Sequence, residues 1–181
     1  LPRERYLLGY PDGGGTVRDG VYWTNLGAEV HLGLLEGQST EKLEQVKALF
    51  VRADMKPDMQ DNILHWLWVH NAGVIGFAAG LAKTRQLQPY LADKALVYQS
   101  IRATKELYDL CARRGVDLNK YPEIGYIKLP IWLTAFLLKR NFQRNESMQR
   151  YTAHATSDGS LLETEYYYHQ VMRTSKELGF E

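Results

Sequence analysis

Two histidines near the middle of the chain, His65 and His70, an acidic and imidazole group near its end, Glu163, Glu165 and His169, and a single cysteine, Cys111, are the side chains most able to do chemistry. Imidazole titrates near neutrality, so a histidine beside a substrate can exchange a proton at physiological pH. His65 and His70 are five residues apart, roughly 140° around a helix, so their rings diverge and cannot share a metal. No H-E-x-x-H and no carboxylate trio at ligand spacing occurs, and no metal site is expected. His65 reads as a satisfied core histidine. His70 is followed by Asn71, Gly73 and Gly76. Small residues beside polar ones on a buried helix make room for a ligand, and a buried polar group needs a partner or a cavity. His70 and Asn71 are therefore candidate ligand-facing residues, with a structural role for His70 equally open. Glu165 and His169 stand at i, i+4, the spacing of a solvated pair. Tyr166, Tyr167 and Tyr168 span most of a helix circumference, so at least one ring should be buried. Cys111 alone excludes an intramolecular disulfide framework and a cysteine-built zinc site, and reads as a buried small residue. Gly13-Gly14-Gly15 invites a phosphate loop. The third glycine of G-x-G-x-x-G falls on Arg18, however, and a strand follows rather than a helix, so a plain turn is the better reading.

The elements that must position these residues follow from composition and periodicity. With 181 residues, 45% hydrophobic and 24% charged, the chain reads as one ordered domain or one domain with an appendage. A net charge of +1 excludes strong bulk attraction to nucleic acid or anionic lipid. The tyrosines and arginines of the last forty or so residues form no basic–aromatic track. No nucleic acid and no membrane is expected as a partner. No basic-then-apolar leader opens the chain, which suggests a cytoplasmic protein, and Leu1-Pro2-Arg3-Glu4-Arg5 reads like the middle of something longer.

Residues 1–37 hold more than half of the 15 glycines. Strands are predicted at Arg5–Tyr10, Gly20–Leu26 and Ala28–Leu35, with a turn over Pro11–Gly15. Three short strands cannot make a core alone; they must complete a sheet or pack on helices. Residues 38–181 read as helical. Ser39 or Thr40 caps a helix whose Leu43, Val46, Leu49 and Phe50 share a face, ending near Asp54. Pro57 then suits the first turn of the next helix. Ile63–Ala82 carries no Asp, Glu, Lys or Arg. That length reaches the minimum for a membrane span, but His65, His70 and Asn71 are costly in lipid, so a central helix buried all round is favoured. Gly73, Gly76 and Gly80 would let another backbone approach it closely. Lys94–Gly115 is amphipathic with Gly115 as C-cap. Val116–Pro122 is loop and Leu129–Phe142 a helix with a basic end. The polar stretch 144–157 stays unassigned. Ser157 or Asp158 caps a last helix that runs to about Leu178 and stops at Gly179.

Taken together, the order of these segments resembles one family. Asp61-Asn62-Ile63-Leu64-His65-Trp66-Leu67-Trp68-Val69-His70-Asn71, Thr164-Glu165-Tyr166 near the end, and Arg5-Tyr6-Leu7-Leu8-Gly9-Tyr10-Pro11-Asp12-Gly13-Gly14 at the start are similar to the C-terminal half of ketopantoate reductase (2-dehydropantoate 2-reductase) proteins, which serve pantothenate biosynthesis. That family sets an Ile, a Trp five residues on and a catalytic Lys two further on; Ile63, Trp68 and His70 hold those places here. The family's Asn positions four and eight residues later are Val74 and Ala78, and its Ser before the Glu falls on Ala153, or on Thr152 with a one-residue gap.

The resemblance implies a mainly α fold, a helical bundle like the C-terminal domain of 6-phosphogluconate dehydrogenase, with a short N-terminal β appendage. Residues 1–37 would be the tail of a Rossmann domain that binds NADP elsewhere in the full-length protein, and residues 38–181 the substrate-binding and dimerising domain. It further implies reduction of a small 2-keto acid, His70 in the place of the proton donor, Glu165 as a substrate-side anchor, and no cofactor bound by this chain alone. A non-catalytic helical interaction or dimerisation module is the alternative.

Overall fold

The computed structural model describes residues 2, 5–35, 37–146, 149, 152 and 158–180; Leu1, Arg3, Glu4, Ala153 and Ser157 lie outside the described residues. The chain is mainly helical with a small three-stranded sheet near its start, and it divides into two compact units, Leu1–Leu67 and Trp68–Glu181.

In the first unit, β1 (Leu8–Arg18) and β2 (Val21–Gly33) form an antiparallel hairpin. Asp19 at φ 51° and Gly20 at φ 75° make its two-residue turn. Positive φ at both central positions is what a tight hairpin matching the strand twist requires, and Asp-Gly is its sequence signal. Two expectations change here. Pro11–Gly15 is strand rather than turn, because pairing with β2 occupies its backbone groups and a register shift between Pro11 and Gly13 absorbs the irregularity. The two strands expected after Gly20 are one, because the ladder to β1 continues past Gly27.

The sheet also reaches beyond residue 37. α1 (Thr40–Arg52) crosses over to β3 (Lys56–Gln60), which pairs parallel to β2 in the order β1-β2-β3. Pro57 therefore sits in a strand, not in the first turn of a helix. β3 is an edge strand among the described residues, and an edge tolerates a residue without an N–H. Val30 and Leu32, two apart on β2, point to one face and pack with Leu43 of α1, flanked by Val46, Phe50 and Met59.

α2 (Ile63–Thr84) begins two residues after β3. Asn62 Oδ1 accepts from the backbone N–H groups of Leu64 and His65, both at 3.1 Å, and so caps it. A Cβ on Gly33 would stand 2.7 Å from the Gln60 carbonyl oxygen and 2.9 Å from Ile63 Cβ, so only glycine lets β2, β3 and the start of α2 meet here.

The second unit is helical: the remainder of α2, α3 (Leu87–Ala92), α4 (Lys94–Arg113), two 3-10 turns at Leu118–Lys120 and Pro122–Lys128, α5 (Ile131–Arg144) and α6 (Asp158–Glu177). α4 is capped at both ends, at its C-terminus by Gly115 as the sequence predicts and at its N-terminus by Asp93, which the sequence reading did not name. Leu96 N–H donates to Asp93 Oδ1 at 2.9 Å. Beyond its C-terminus, Gly115 takes φ 90°, and the N–H groups of Gly115 and Val116 return to Ala112 and Cys111.

α2 and α4 approach closely. A Cβ on Gly73 would lie 2.9 Å from Tyr108 Oη, one on Gly76 would lie against Thr104 Oγ1 and 3.0 Å from Thr104 Cα, and one on Gly80 would lie against Ser100 Oγ. Ser100, Thr104 and Tyr108 rise one turn at a time on α4 as Gly80, Gly76 and Gly73 descend on α2, so the helices run antiparallel with their small residues in contact. Most of α2 is buried or half-buried, as expected of a central helix. Among the described residues, no helix is long and apolar enough to cross a membrane.

Candidate functional site

His70 and Asn71 lie on α2 in the second unit, and both are half-buried. Helical spacing sets His70 on one stripe with Val74, Phe77 and Leu81. Phe77 stacks on Phe142 of α5 at 4.7 Å and meets Tyr90 of α3 edge-on at 5.2 Å. His70 therefore stands two turns from an aromatic contact, on a stripe flanking the glycine face that touches α4. His65, also half-buried, belongs to the first unit and points off a different side of α2.

The glycine face carries polar groups that sequence reasoning did not single out. Tyr108, at Gly73, pairs its phenol with that of Tyr126 in the second 3-10 turn. Burial, first, then the neighbouring Tyr126 phenol hold the Tyr108 hydroxyl in its neutral form far above the usual phenol range. Tyr126 is raised as well, again chiefly by burial. Tyr90 is fully buried with its hydroxyl beside Ser100 but without a well-formed hydrogen bond, and burial raises it too. These phenols are proton-holding, hydrogen-bonding groups rather than bases. The polar run at i, i+4, i+8 on the buried side of α4, facing three glycines, is the sequence signal that points to them.

Cys111 behaves as expected of a buried small residue. Its Sγ–H donates to the Trp68 carbonyl oxygen at 3.5 Å, and burial pushes the thiol up to about 11, against a smaller opposing effect of Arg114. A thiol so displaced holds almost no thiolate at neutral pH and is a poor nucleophile. The Arg114 guanidinium lies over the Trp68 ring, 3.5 Å from its centre.

Glu165 and His169 form the i, i+4 pair their spacing predicts, at 3.8 Å, with both side chains 66% exposed on α6. The expected burial of a tyrosine ring nearby is not met: Tyr167 is half-buried, while Tyr166 and Tyr168 are exposed. The helix turns only one face inward, and consecutive residues cannot share it.

A second imidazole, absent from the sequence reading, has the more ordered setting. His31 on β2 stands in register with Asp58 on β3, and its Nδ1 is 2.9 Å from Asp58 Oδ2. Gln60 Nε2 donates to the same oxygen at 2.6 Å. The imidazole stacks on the Trp66 indole at 3.8 Å, and Tyr10 is tilted against the same indole at 5.4 Å. The carboxylate fixes the ring's orientation as it would in a proton-transfer dyad. No local signal could have found it, because the pairing depends on a parallel strand 27 residues away.

Among the described residues no group of three or more His, Cys, Asp or Glu side chains could hold a metal ion. Gly13–Gly15 lies inside β1, paired to β2, and offers neither a strand-to-helix turn nor a helix N-terminus to a phosphate. No protein-family model, no curated protein and no solved structure matches the chain.

Proposed function

We propose that this chain supplies the substrate-binding helical domain of an NADP-dependent oxidoreductase of small 2-keto acids, with His70 as proton donor. The observation that supports the reading best is the path of the chain. A parallel β2–α1–β3 unit, the connection typical of nucleotide-binding α/β sheets, passes within two residues into a glycine-lined helix that bears a half-buried histidine. On this reading the sheet is the tail of a Rossmann domain belonging to the same protein.

The described residues do not fit the dinucleotide itself, since the only glycine run is in a paired strand. The hydride donor is therefore assigned to the Rossmann domain. His70 contributes one proton: its imidazolium N–H donates to the ketone oxygen as the carbonyl becomes an alcohol, and the neutral ring regains a proton from solvent. Asn71, the next residue, offers an amide to the substrate carboxylate. Glu165 stays outside the chemical step, because it is paired with His169 on an open helix face.

The test uses the protein encoded by the complete reading frame. A G-x-G-x-x-G after its first strand and NADPH oxidation with a small 2-keto acid are expected. His70→Ala should lower kcat about 100-fold with little change in KM, and His70→Lys should retain more activity. A frame without that motif, or no turnover with any keto acid, overturns the proposal. The exposed apolar residues of α6 favour the second reading, an interaction module.

A further inference from the structure

α6 is twenty residues long, yet none of its described side chains is buried. Its inward face, Thr164, Tyr167, Val171, Thr174 and Ser175, is only half-buried. A helix owes most of its stability to tertiary packing, and this one is left unsaturated. On its other side, Leu162, Glu165, Tyr166, His169, Met172, Arg173 and Lys176 fall within roughly 120° of arc at the helical repeat. All are exposed; Leu162 is 67%, Tyr166 61% and Met172 50% open to solvent.

The charge order on this face is what identifies its occupant. Glu165 lies toward its N-terminal end and Arg173 and Lys176 toward its C-terminal end, with His169 midway. Glu177, which would break the order, lies outside this arc at the helical repeat, and its charge acts on Arg114 of its own chain. A helix that is acidic at one end and basic at the other complements itself when it is turned around.

We propose that α6 pairs antiparallel with α6 of a second copy of this chain, about a two-fold axis through His169. Turning the helix about that residue sets Glu165 opposite the partner's Arg173, Tyr166 opposite the partner's Met172, and Leu162 on the methylene stem of the partner's Lys176. Each contact occurs twice, as a two-fold interface requires. Aromatic and methionine side chains form the centre and opposite charges fix the register. The contact is one helix wide, so it belongs at the small end of specific interfaces, about 1,200 Å² or less in total, and a micromolar dimer is expected. The inference does not rest on the reductase reading: it predicts a mass, not an activity.

Sedimentation equilibrium of the chain across a micromolar series tests it. Wild type should show a monomer–dimer equilibrium that weakens with salt. Glu165→Arg and Arg173→Glu, each alone, set like charges opposite one another twice and should weaken association about tenfold or more. The two together exchange the ends and should restore it. Circular dichroism melts of all three variants, taken at a dilution where the wild type is monomeric, should overlay the wild type, which separates lost pairing from lost folding. A wild type that stays monomeric throughout overturns the proposal, as does a dimer indifferent to the single reversals or a double variant that is not restored. In the first case the face serves another partner; in the others the dimer forms elsewhere.

Discussion

α4 and α6 are both twenty-residue helices, but eight side chains of α4 are buried, while none of those described in α6 is. Leu96, Val97, Ile101 and Tyr108 line one side of α4, and its small polar residues Ser100 and Thr104 let the α2 backbone come close. In α6 the large apolar residues are spread around the axis, so packing one face leaves Leu162, Tyr166, Tyr168 and Met172 in water. Equal length and equal helicity therefore say little about what a helix is for. The distribution of apolar residues around the axis separates a helix that holds its unit together from one that offers a surface.

Substitutions can break or sharpen that contrast. The largest effect is expected at Ile101, which is buried on α4. Ile101→Ala should cost about 3 kcal/mol in transfer and cavity energy, read as a loss in the urea midpoint. Next, Gly76→Ala should cost about 2 kcal/mol. The new methyl meets Thr104 at its Cα and side chain, and the crowding exceeds the gain in helix propensity. If Gly76→Ala instead stabilises the protein, the close contact between α2 and α4 is wrong.

A third test uses pH. Cys111 is raised from an ordinary 9.0 to about 11 in the folded chain. Between those values the unfolded thiol has lost its proton while the folded one keeps it, so stability falls as pH rises through the window and is intact below it. Cys111→Ala should flatten this part of the pH–stability curve, although Tyr90, Tyr108 and Tyr126 add a similar decline at higher pH. Slow alkylation of the native thiol at pH 8, becoming fast in urea, checks the same burial. The smallest effect is expected on α6. Leu162→Ser should change monomer stability by less than about 0.5 kcal/mol, because the side chain is open to solvent. A melt shifted by several degrees at high dilution would show that α6 is packed as α4 is.

Much of the helical unit was legible before any coordinates. α4 declares itself through its apolar stripe and Gly115, local signals with local causes; the Asp93 cap is as local but was not read. The place where α1 begins, after Ser39, and the end of α6 at Gly179 follow in the same way, although the Ser39 side chain makes no capping hydrogen bond; the start of α2 was expected at Pro57 and lies instead after Asn62. Spacing also predicted the Glu165–His169 pair, because i, i+4 geometry is built into a helix. Gly73, Gly76 and Gly80 announced a close approach, though not which element makes it. Asp19-Gly20 carried the hairpin turn in two letters; the glycine run at 13–15 is the stronger-looking signal and is strand.

What the sequence by itself determined is therefore the long helices and the C-terminal stops of α4 and α6, because those depend on residues within a turn or two of one another; the short helix α3 and the two 3-10 turns were not read from it. Tertiary structure alone decided that Pro57 belongs to a strand, since five residues become β3 only by pairing with β2. The same pairing brings His31 to Asp58 and lets Trp66 cover the imidazole. It likewise decided that Tyr108 meets Tyr126, through the packing of a 3-10 turn on α4. Local preference is encoded over a few residues, whereas these contacts join residues 18 to 35 positions apart. They appear only when burial of apolar surface and completion of backbone hydrogen bonds choose one arrangement of the elements over others the same local signals allow.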